Sequence, residues 1–430
     1  MECGAWGSLQ EDNAGEVPSK DAKTGKTKGT AKSPTSFSSA SITTLPATST
    51  GCAPLDLVLG GGLVHGAVTL LAGEPGIGKS TLLAQTAISA AKNGKKVIYV
   101  TGEESPTQVR RRLERLAKEL PASLLFLDET DAATIAATIE TEKAALTIVD
   151  SIQSMRHEEA TGDAGSVTQV KASAAVIAEA AKRSGAPVIL VGQVTKDGDI
   201  AGPRVLEHLV DTVLFLEGDK DHRYRILRAL KHRFGPTDET SLLSMTERGL
   251  EPVEDPSSEL LRDRAVQTSG SAVTCLIEGH RPMLLEIQAL ISPAGYGTPI
   301  RRATGVDPAR LGMLLAVLAK RAGVYALDKD VYANAAGGID ARDPSVDLAL
   351  LAAIASAVKD VHIDPTIGFF GEVGLAGELR PVALPELRLK EFARMGFKTV
   401  IGPRGVSKLK TTLAVKEAKT LREALAFVLS

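Results

Sequence analysis

The stretch from Gly73 to Ser80, G-E-P-G-I-G-K-S, lies between the apolar run VTLLA (68–72) and the helical pattern KSTLLAQTAISAAK. It satisfies G-x-x-x-x-G-K-[ST] in the strand-to-helix context that the pattern needs. Glycines let backbone N–H groups converge on phosphates, and the following helix adds its positive dipole end. Gly73, Glu74, Pro75, Gly76, Ile77, Gly78, Lys79, Ser80 and Thr81 are therefore the expected cradle for ATP. Lys79 is expected on the β- and γ-phosphates and Ser80 on Mg²⁺. What the hydrolysis drives is left open by this loop alone.

The rest of the first half alternates short apolar runs with helical patterns. KKVIYVTGEE, LLFLDE, ALTIVDSIQ, PVILVGQVT, DTVLFLEG and YRILRALKHRF read as strands, with SPTQVRRRLERLAKEL helical between the first two. Near-continuous apolar strands alternating with helices predict an α/β fold whose parallel sheet is covered on both faces. The text EPVEDPSSELLRDR changes character and marks a boundary near residue 250. Beyond it CLIEGHRPMLLEIQALIS reads as strands, PARLGMLLAVLAKRAG and SVDLALLAAIASAVKD as helices, FFGEVGLAGELRPV as strand and turn, and LPELRLKEFARMGF as helix. At 430 residues the chain is too long for one ordinary core. The reading divides it into 1–10, a linker over 11–40, an ATPase domain over 41–250 and a second α/β domain over 251–430 with its core at about 330–430.

Several side chains stand where triphosphate chemistry needs them. Asp150 closes LTIVDS, where a carboxylate after an apolar strand can hold the magnesium shell; alone, a turn or capping aspartate is the commoner case. Glu103, at the end of VIYVTGEE, is the candidate that orients the attacking water, with Glu104 in reserve. The bland alternative is a solvent-facing pair that starts a helix. Gln193, closing LVGQ, is placed to sense the γ-phosphate and pass its state to the loop TKDGDIAGPR, although a lone glutamine is more often a satisfied strand end.

The composition excludes several classes. The 50 Lys and Arg nearly balance the 52 Asp and Glu, so nucleic-acid binding must come from local basic patches. No apolar stretch is long enough to span a bilayer, and MECGAWGSLQEDN lacks a secretory pattern, so a cytoplasmic protein without membrane contact is expected. Cys3, Cys52 and Cys275 are too far apart for a metal quartet or a disulfide framework. SKDAKTGKTKGTAKSPTSFSSAS carries almost no apolar residues and reads as a solvated tether.

GEPGIGKST, YVTGEES, VDSIQSM, GSVTQVK, VTKDGDIAGPRVLEHLVDTVLFLEGD and LKHRFGPT together resemble the bacterial RadA (Sms) family, from about Ser41 to the C-terminus. The resemblance implies a RecA-like P-loop ATPase core that forms a homo-hexameric ring, followed by a Lon-protease-like (ribosomal S5 domain 2-like) domain. It implies a DNA-stimulated ATPase that binds single-stranded and branched DNA and extends branches started by the recombinase RecA. The family's K-N-R-F-G element here reads Lys231-His232-Arg233-Phe234-Gly235, and Lys231 and Arg233 are assigned charge roles toward a neighbour's triphosphate and toward DNA. Gln193 stands where the family often has His. Arg156, Lys171, Lys196 and Arg204 are the cations in the loops where related motors contact single strands; each taken singly reads as a solvated charge.

Two further sites look incomplete. ECGAWGSL resembles the tail of the family's four-cysteine zinc finger, of which only Cys3 is present. Zinc is expected only if upstream cysteines are restored, and a misplaced start is the favoured account. In the Lon-like domain Ser345 falls at the place of the Lon nucleophile, while Glu386 occupies the position of its lysine and Lys390 lies a helical turn on. Ser345 is therefore read as a helix N-cap, and no proteolysis is expected. A Lon-type protease and a signalling ATPase that phosphorylates itself or a partner are the rival functions; neither explains the block at 194–218.

Overall fold

The computed structural model describes residues 47–193, 203–218, 223–264, 267–295 and 298–429, except the side chains of Pro203 and Arg204. Leu45 onward forms one compact unit containing two large sheets. The first is built from β1 (Val68–Gly73), β2 (Val97–Thr101), β3 (Leu124–Asp128), β4 (Leu146–Asp150), β5 (Val188–Gln193), β6 (Thr212–Glu217), β7 (Tyr224–His232), β8 (Thr240–Thr246) and β9 (Gly249–Pro252). Their order is β9-β8-β7-β6-β1-β5-β4-β2-β3. The six strands β1 to β6 run parallel, as their continuous apolar character predicts. β7, β8 and β9 extend the sheet antiparallel, because each follows its predecessor by a connection too short for a crossover.

Helices cover both faces. α1 (Lys79–Lys92) packs with Leu71, Tyr99, Ile148 and Ile189 on one side. α3 (Ala132–Glu142) and α4 (Val167–Ser184) pack with Val68, Leu70, Val100 and Leu190 on the other. The neighbouring strand residues 70 and 71 point into different cores, the period-two signature of a strand buried on both faces. The covering fails at the edge strand β3, where Leu125 and Phe126 are exposed. α2 (Pro106–Leu116) starts on a Ser105/Gln108 capping box with proline at its first position, within the expected helical stretch SPTQVRRRLERLAKEL. α4 starts on Ser166 and ends on Gly185 in the left-handed conformation.

The second sheet is mixed. It consists of β10 (Ser271–Glu278), β11 (Arg281–Pro293), β12 (Arg301–Thr304), β13 (Lys329–Ala335), β14 (Ile367–Phe369), β15 (Thr399–Gly402) and β16 (Ala414–Glu417), ordered β12-β13-β11-β10-β14-β15-β16. α5 (Pro308–Val317) and α6 (Asp347–Lys359) cover one face, and α7 (Pro385–Arg394) covers the other. Tyr224 and Ile226 of β7 and Leu242 of β8 belong to the same apolar cluster as Leu276, Met283 and Leu285. The two sheets thus share packing, reinforced by Thr240 Oγ1 donating to the Glu278 carbonyl at 2.9 Å. Among the described residues no helix is long and apolar enough to cross a membrane.

Candidate nucleotide site

Parallel strands ending together leave a crevice at their C-terminal edge where neighbouring connections diverge. β1 turns there into the phosphate loop, and the left-handed φ of 117° at Gly78 brings the chain into α1. The resulting cleft of about 310 Å³ is lined by Pro75, Gly76, Gly78, Lys79, Ser80, Thr81, Thr101, Glu103, Glu104, Arg112, Asp150, Val191 and Gln193. A Cβ built on Gly76 would meet nothing within 4 Å, so open space faces the loop. The predicted side chains Lys79 and Ser80 at the start of α1, Glu103 just beyond β2, Asp150 at the end of β4 and Gln193 at the end of β5 therefore meet in one place.

Lys79 is buried, and its ammonium donates to the carbonyls of Gly73 at 2.8 Å and Glu74 at 2.9 Å. Burial lowers its pKa to about 8, against the opposing pull of Asp150, Glu103 and Glu74. Asp150 Oδ2 accepts from the buried Tyr99 hydroxyl at 2.7 Å, and an Arg112 nitrogen lies 4.0 Å from the same oxygen. Burial and the Asp150 carboxylate push the Tyr99 phenol well above its ordinary range, so Tyr99 stays a donor. Glu103 accepts from the Ser151 hydroxyl, and Glu104 pairs with Arg112. Thr101 Oγ1 accepts from the backbone N–H groups of both glutamates, which fixes the turn that presents them. The Gln193 carbonyl accepts from Gln153 Nε2 at 3.3 Å, linking the ends of β4 and β5.

The residues fit a magnesium–triphosphate. Ser80 at the start of α1 and Asp150 at the end of β4 line one cleft, and Mg²⁺ needs only one or two protein oxygens when phosphates supply others. Ser80 would ligate it directly and Asp150 would hold its water shell. Tyr99, Arg112 and Ser151 are absent from the sequence reading. Tyr99 is the one aromatic residue inside VIYVT and carries a hydroxyl, which is a usable signal. Arg112 is one of three consecutive arginines, and nothing local distinguishes it.

Lys231 and Arg233 do not join this cleft. β7 runs antiparallel to β6, so its last residues lie where β6 and β1 begin. Lys231 Nζ donates to the carbonyls of Glu207 and Val210, the latter at 2.8 Å. Arg233 pairs at 2.9 Å with Asp211, whose other oxygen accepts from Val68 N–H. Val68 and Gly73 are opposite ends of β1, about 17 Å apart at strand rise. His232 bridges Thr212 Oγ1 and the Leu59 carbonyl, so the family's Asn-to-His change is accommodated by two polar contacts. Leu230 and Phe234, flanking the cations, are 50% and 42% exposed. Arg156 follows the 3₁₀ turn after β4, and Lys171 is on α4; both are exposed and outside the cleft. Cys3, Lys196 and the Arg204 side chain lie outside the described residues.

At the Lon-like position the structure corrects two expectations. Asp343, not Ser345, caps the turn: its carboxylate accepts from Ser345 N–H at 2.6 Å. Ser345 is 0% exposed, and its hydroxyl accepts at 3.0 Å from Arg388, itself 2% exposed. Glu386 and Lys390 are exposed on α7. Arg388 is two residues past Glu386, and this offset carries it to the buried side of the helix, where it also donates to the Cys275 and Ala383 carbonyls.

A parallel sheet carrying this loop at its divergence point, with carboxylates on the neighbouring strand ends, defines a RecA-like P-loop ATPase. A family model described as an AAA domain matches residues 44–199. The DNA repair protein RadA of Bacillus subtilis is 43% identical over 402 residues, covering 93% of this chain and 88% of that protein. The DNA repair protein RadA of Aquifex aeolicus is 47% identical over 357 residues, covering 83% and 80%. A KaiC-like protein from Pyrococcus horikoshii aligns with 49% of this chain at 18% identity and a TM-score of 0.41. The chain belongs to the RadA family of DNA repair proteins.

Proposed function

We propose that this chain hydrolyses ATP as a homo-hexameric ring, stimulated by single-stranded DNA, and uses the energy to process recombination intermediates during repair of DNA breaks. Relatives named as DNA repair proteins support the setting. The observation that carries the ring is the separation of Lys231 and Arg233 from their own phosphate loop, with exposed Leu230 and Phe234 beside them. Those cations complete a site only by reaching the triphosphate of a neighbouring subunit, where they stabilise transition-state charge. Ser80 and Asp150 hold Mg²⁺, Glu103 orients the attacking water, and Gln193 reports the γ-phosphate to residues 194–204. Single-stranded and branched DNA meets Arg156, Lys171, Lys196 and Arg204, together with Lys231 and Arg233. Binding is then salt-dependent and largely indifferent to sequence. Branch extension acts on RecA-started joints, in the cytoplasm.

The proposed division is 1–10, 11–40, 41–250 and 251–430, the last serving as a scaffold for assembly. Among the described residues, the side chain hydrogen-bonded to the buried Ser345 hydroxyl is that of an arginine, whose guanidinium remains charged and cannot take its proton. That geometry weighs against Lon-type proteolysis.

ATP turnover measured at low salt with and without single-stranded DNA tests the reading. Turnover is expected to rise with DNA and to vanish in Lys79→Ala. Mixing Lys79→Ala with Arg233→Ala subunits is expected to restore part of the activity, since mixed rings contain some intact composite sites. A protein that hydrolyses ATP at full rate as a monomer and ignores DNA refutes the proposal.

A further inference from the structure

The phosphate loop has two sides. Gly78 lines the nucleotide cleft, whereas Ile77 lines a separate cleft of about 850 Å³ that runs between the two sheets. From β7 the guanidinium of Arg225, 3% exposed, donates through Nε to the Ile77 carbonyl at 3.2 Å. Its Nη1 donates to the Tyr224 carbonyl at 2.8 Å, which braces the side chain against its own strand. Gly218 makes room for the stem: a Cβ there would come within 3.0 Å of Arg225 Cδ and 2.7 Å of the Tyr224 carbonyl.

The C=O of residue 77 and the N–H of residue 78 belong to one rigid peptide plane and, in the trans form, point in opposite directions. A cation that grips the Ile77 carbonyl from behind the loop therefore turns the Gly78 N–H toward the nucleotide cleft. It also polarises that peptide, which makes the N–H a better donor to an anion. We infer that Arg225 is a positioning residue for the triphosphate, holding the Ile77–Gly78 peptide from the β7 side so that the Gly78 amide is aimed at the β-phosphate before nucleotide arrives. Preorganised donors bind without paying for reorientation at the moment of binding. This inference rests on the reading of the loop as a triphosphate site.

The test uses the full chain, with binding of ADP and steady-state ATP turnover as readouts. Arg225→Met keeps the length and removes the donors; the expected result is ADP binding and KM weakened about tenfold, or ~1.4 kcal/mol, with kcat within about threefold of wild type. Arg225→Lys retains the charge and one donor group, and is expected to raise KM about threefold. Arg228→Met removes a cation from the opposite face of the same strand, and KM is expected to stay within about twofold. KM and ADP affinity unchanged in Arg225→Met overturns the inference. So does a fall in kcat at constant KM with a lowered melting temperature, which marks a merely structural role. If Arg225→Met is insoluble, Arg225→Lys decides alone, and an unchanged KM overturns it. A wild-type protein that binds no ADP instead refutes the triphosphate reading itself.

Discussion

Lys79 illustrates how one side chain's charge depends on its surroundings. Its folded pKa of about 8 lies below the unfolded value, so between about pH 8 and 10.5 the unfolded chain holds more protons. The nucleotide-free fold therefore gains stability as pH rises through that window. A bound triphosphate stabilises the ammonium and raises the pKa again. At pH 8.5, ADP binding is expected to take up more than about half a proton, and near none at pH 6.5. Calorimetry in buffers of different ionisation enthalpy measures this, and the uptake should disappear in Lys79→Met. Arg388 is the corresponding case in the second sheet. Arg388→Met leaves Ser345 Oγ and two carbonyls without their donor, and an expected loss of about 3 kcal/mol is readable by denaturant unfolding.

At the scale of elements, α6 shows why a helix can be apolar all round. From Asp347 to Ser356 every residue is buried, so the helix lies in the interior rather than on a surface. Its alanines are the close-packing positions: Ala352 and Ala353 are both fully enclosed. Ala353→Leu is expected to cost about 1–3 kcal/mol through overpacking, seen as a lower urea midpoint at unchanged slope. Asp347 begins this helix and is held by Arg310 at 2.7 Å and by Val373 N–H at 2.9 Å, which anchors α6 to both α5 and the short strand Glu372–Val373 after β14. The strand β7 has a different double role. Its odd face carries Arg225 to the phosphate loop, and its even face carries Arg228 to Glu217 at 2.9 Å and toward Glu278 at 3.9 Å.

At the scale of the whole molecule, that last contact joins the two sheets. Burial pushes Glu278 up to about 7, with Arg228 opposing and Glu217, Asp340 and Asp343 adding to the rise. A carboxyl whose folded pKa exceeds its unfolded one contributes stability at low pH that is lost as pH rises through the folded value. The junction is therefore expected to weaken between about pH 4.5 and 7. In Glu278→Gln this part of the pH dependence should vanish, leaving the variant on the order of 1 kcal/mol more stable than wild type at pH 8. Thermal unfolding followed across that range measures it; identical pH profiles for the two proteins would remove Glu278 from the junction.

The strands β1 to β7, the phosphate loop and Asp150 were legible in the amino-acid sequence because each is a local pattern: apolar periodicity, glycine spacing, a carboxylate at a strand end. Local interactions set these, and neighbouring residues encode them. Antiparallel addition of β7, β8 and β9 was less legible, since direction depends on pairing rather than on composition. The choice of Arg388 over Glu386 beside Ser345, and of Arg225 behind Ile77, was decided only in three dimensions. Each depends on which face of a helix or strand meets a segment far away in the chain, 43 residues for Arg388 and 148 for Arg225. A one-residue pattern cannot carry that information, because contact at such separation is fixed by the packing of whole elements.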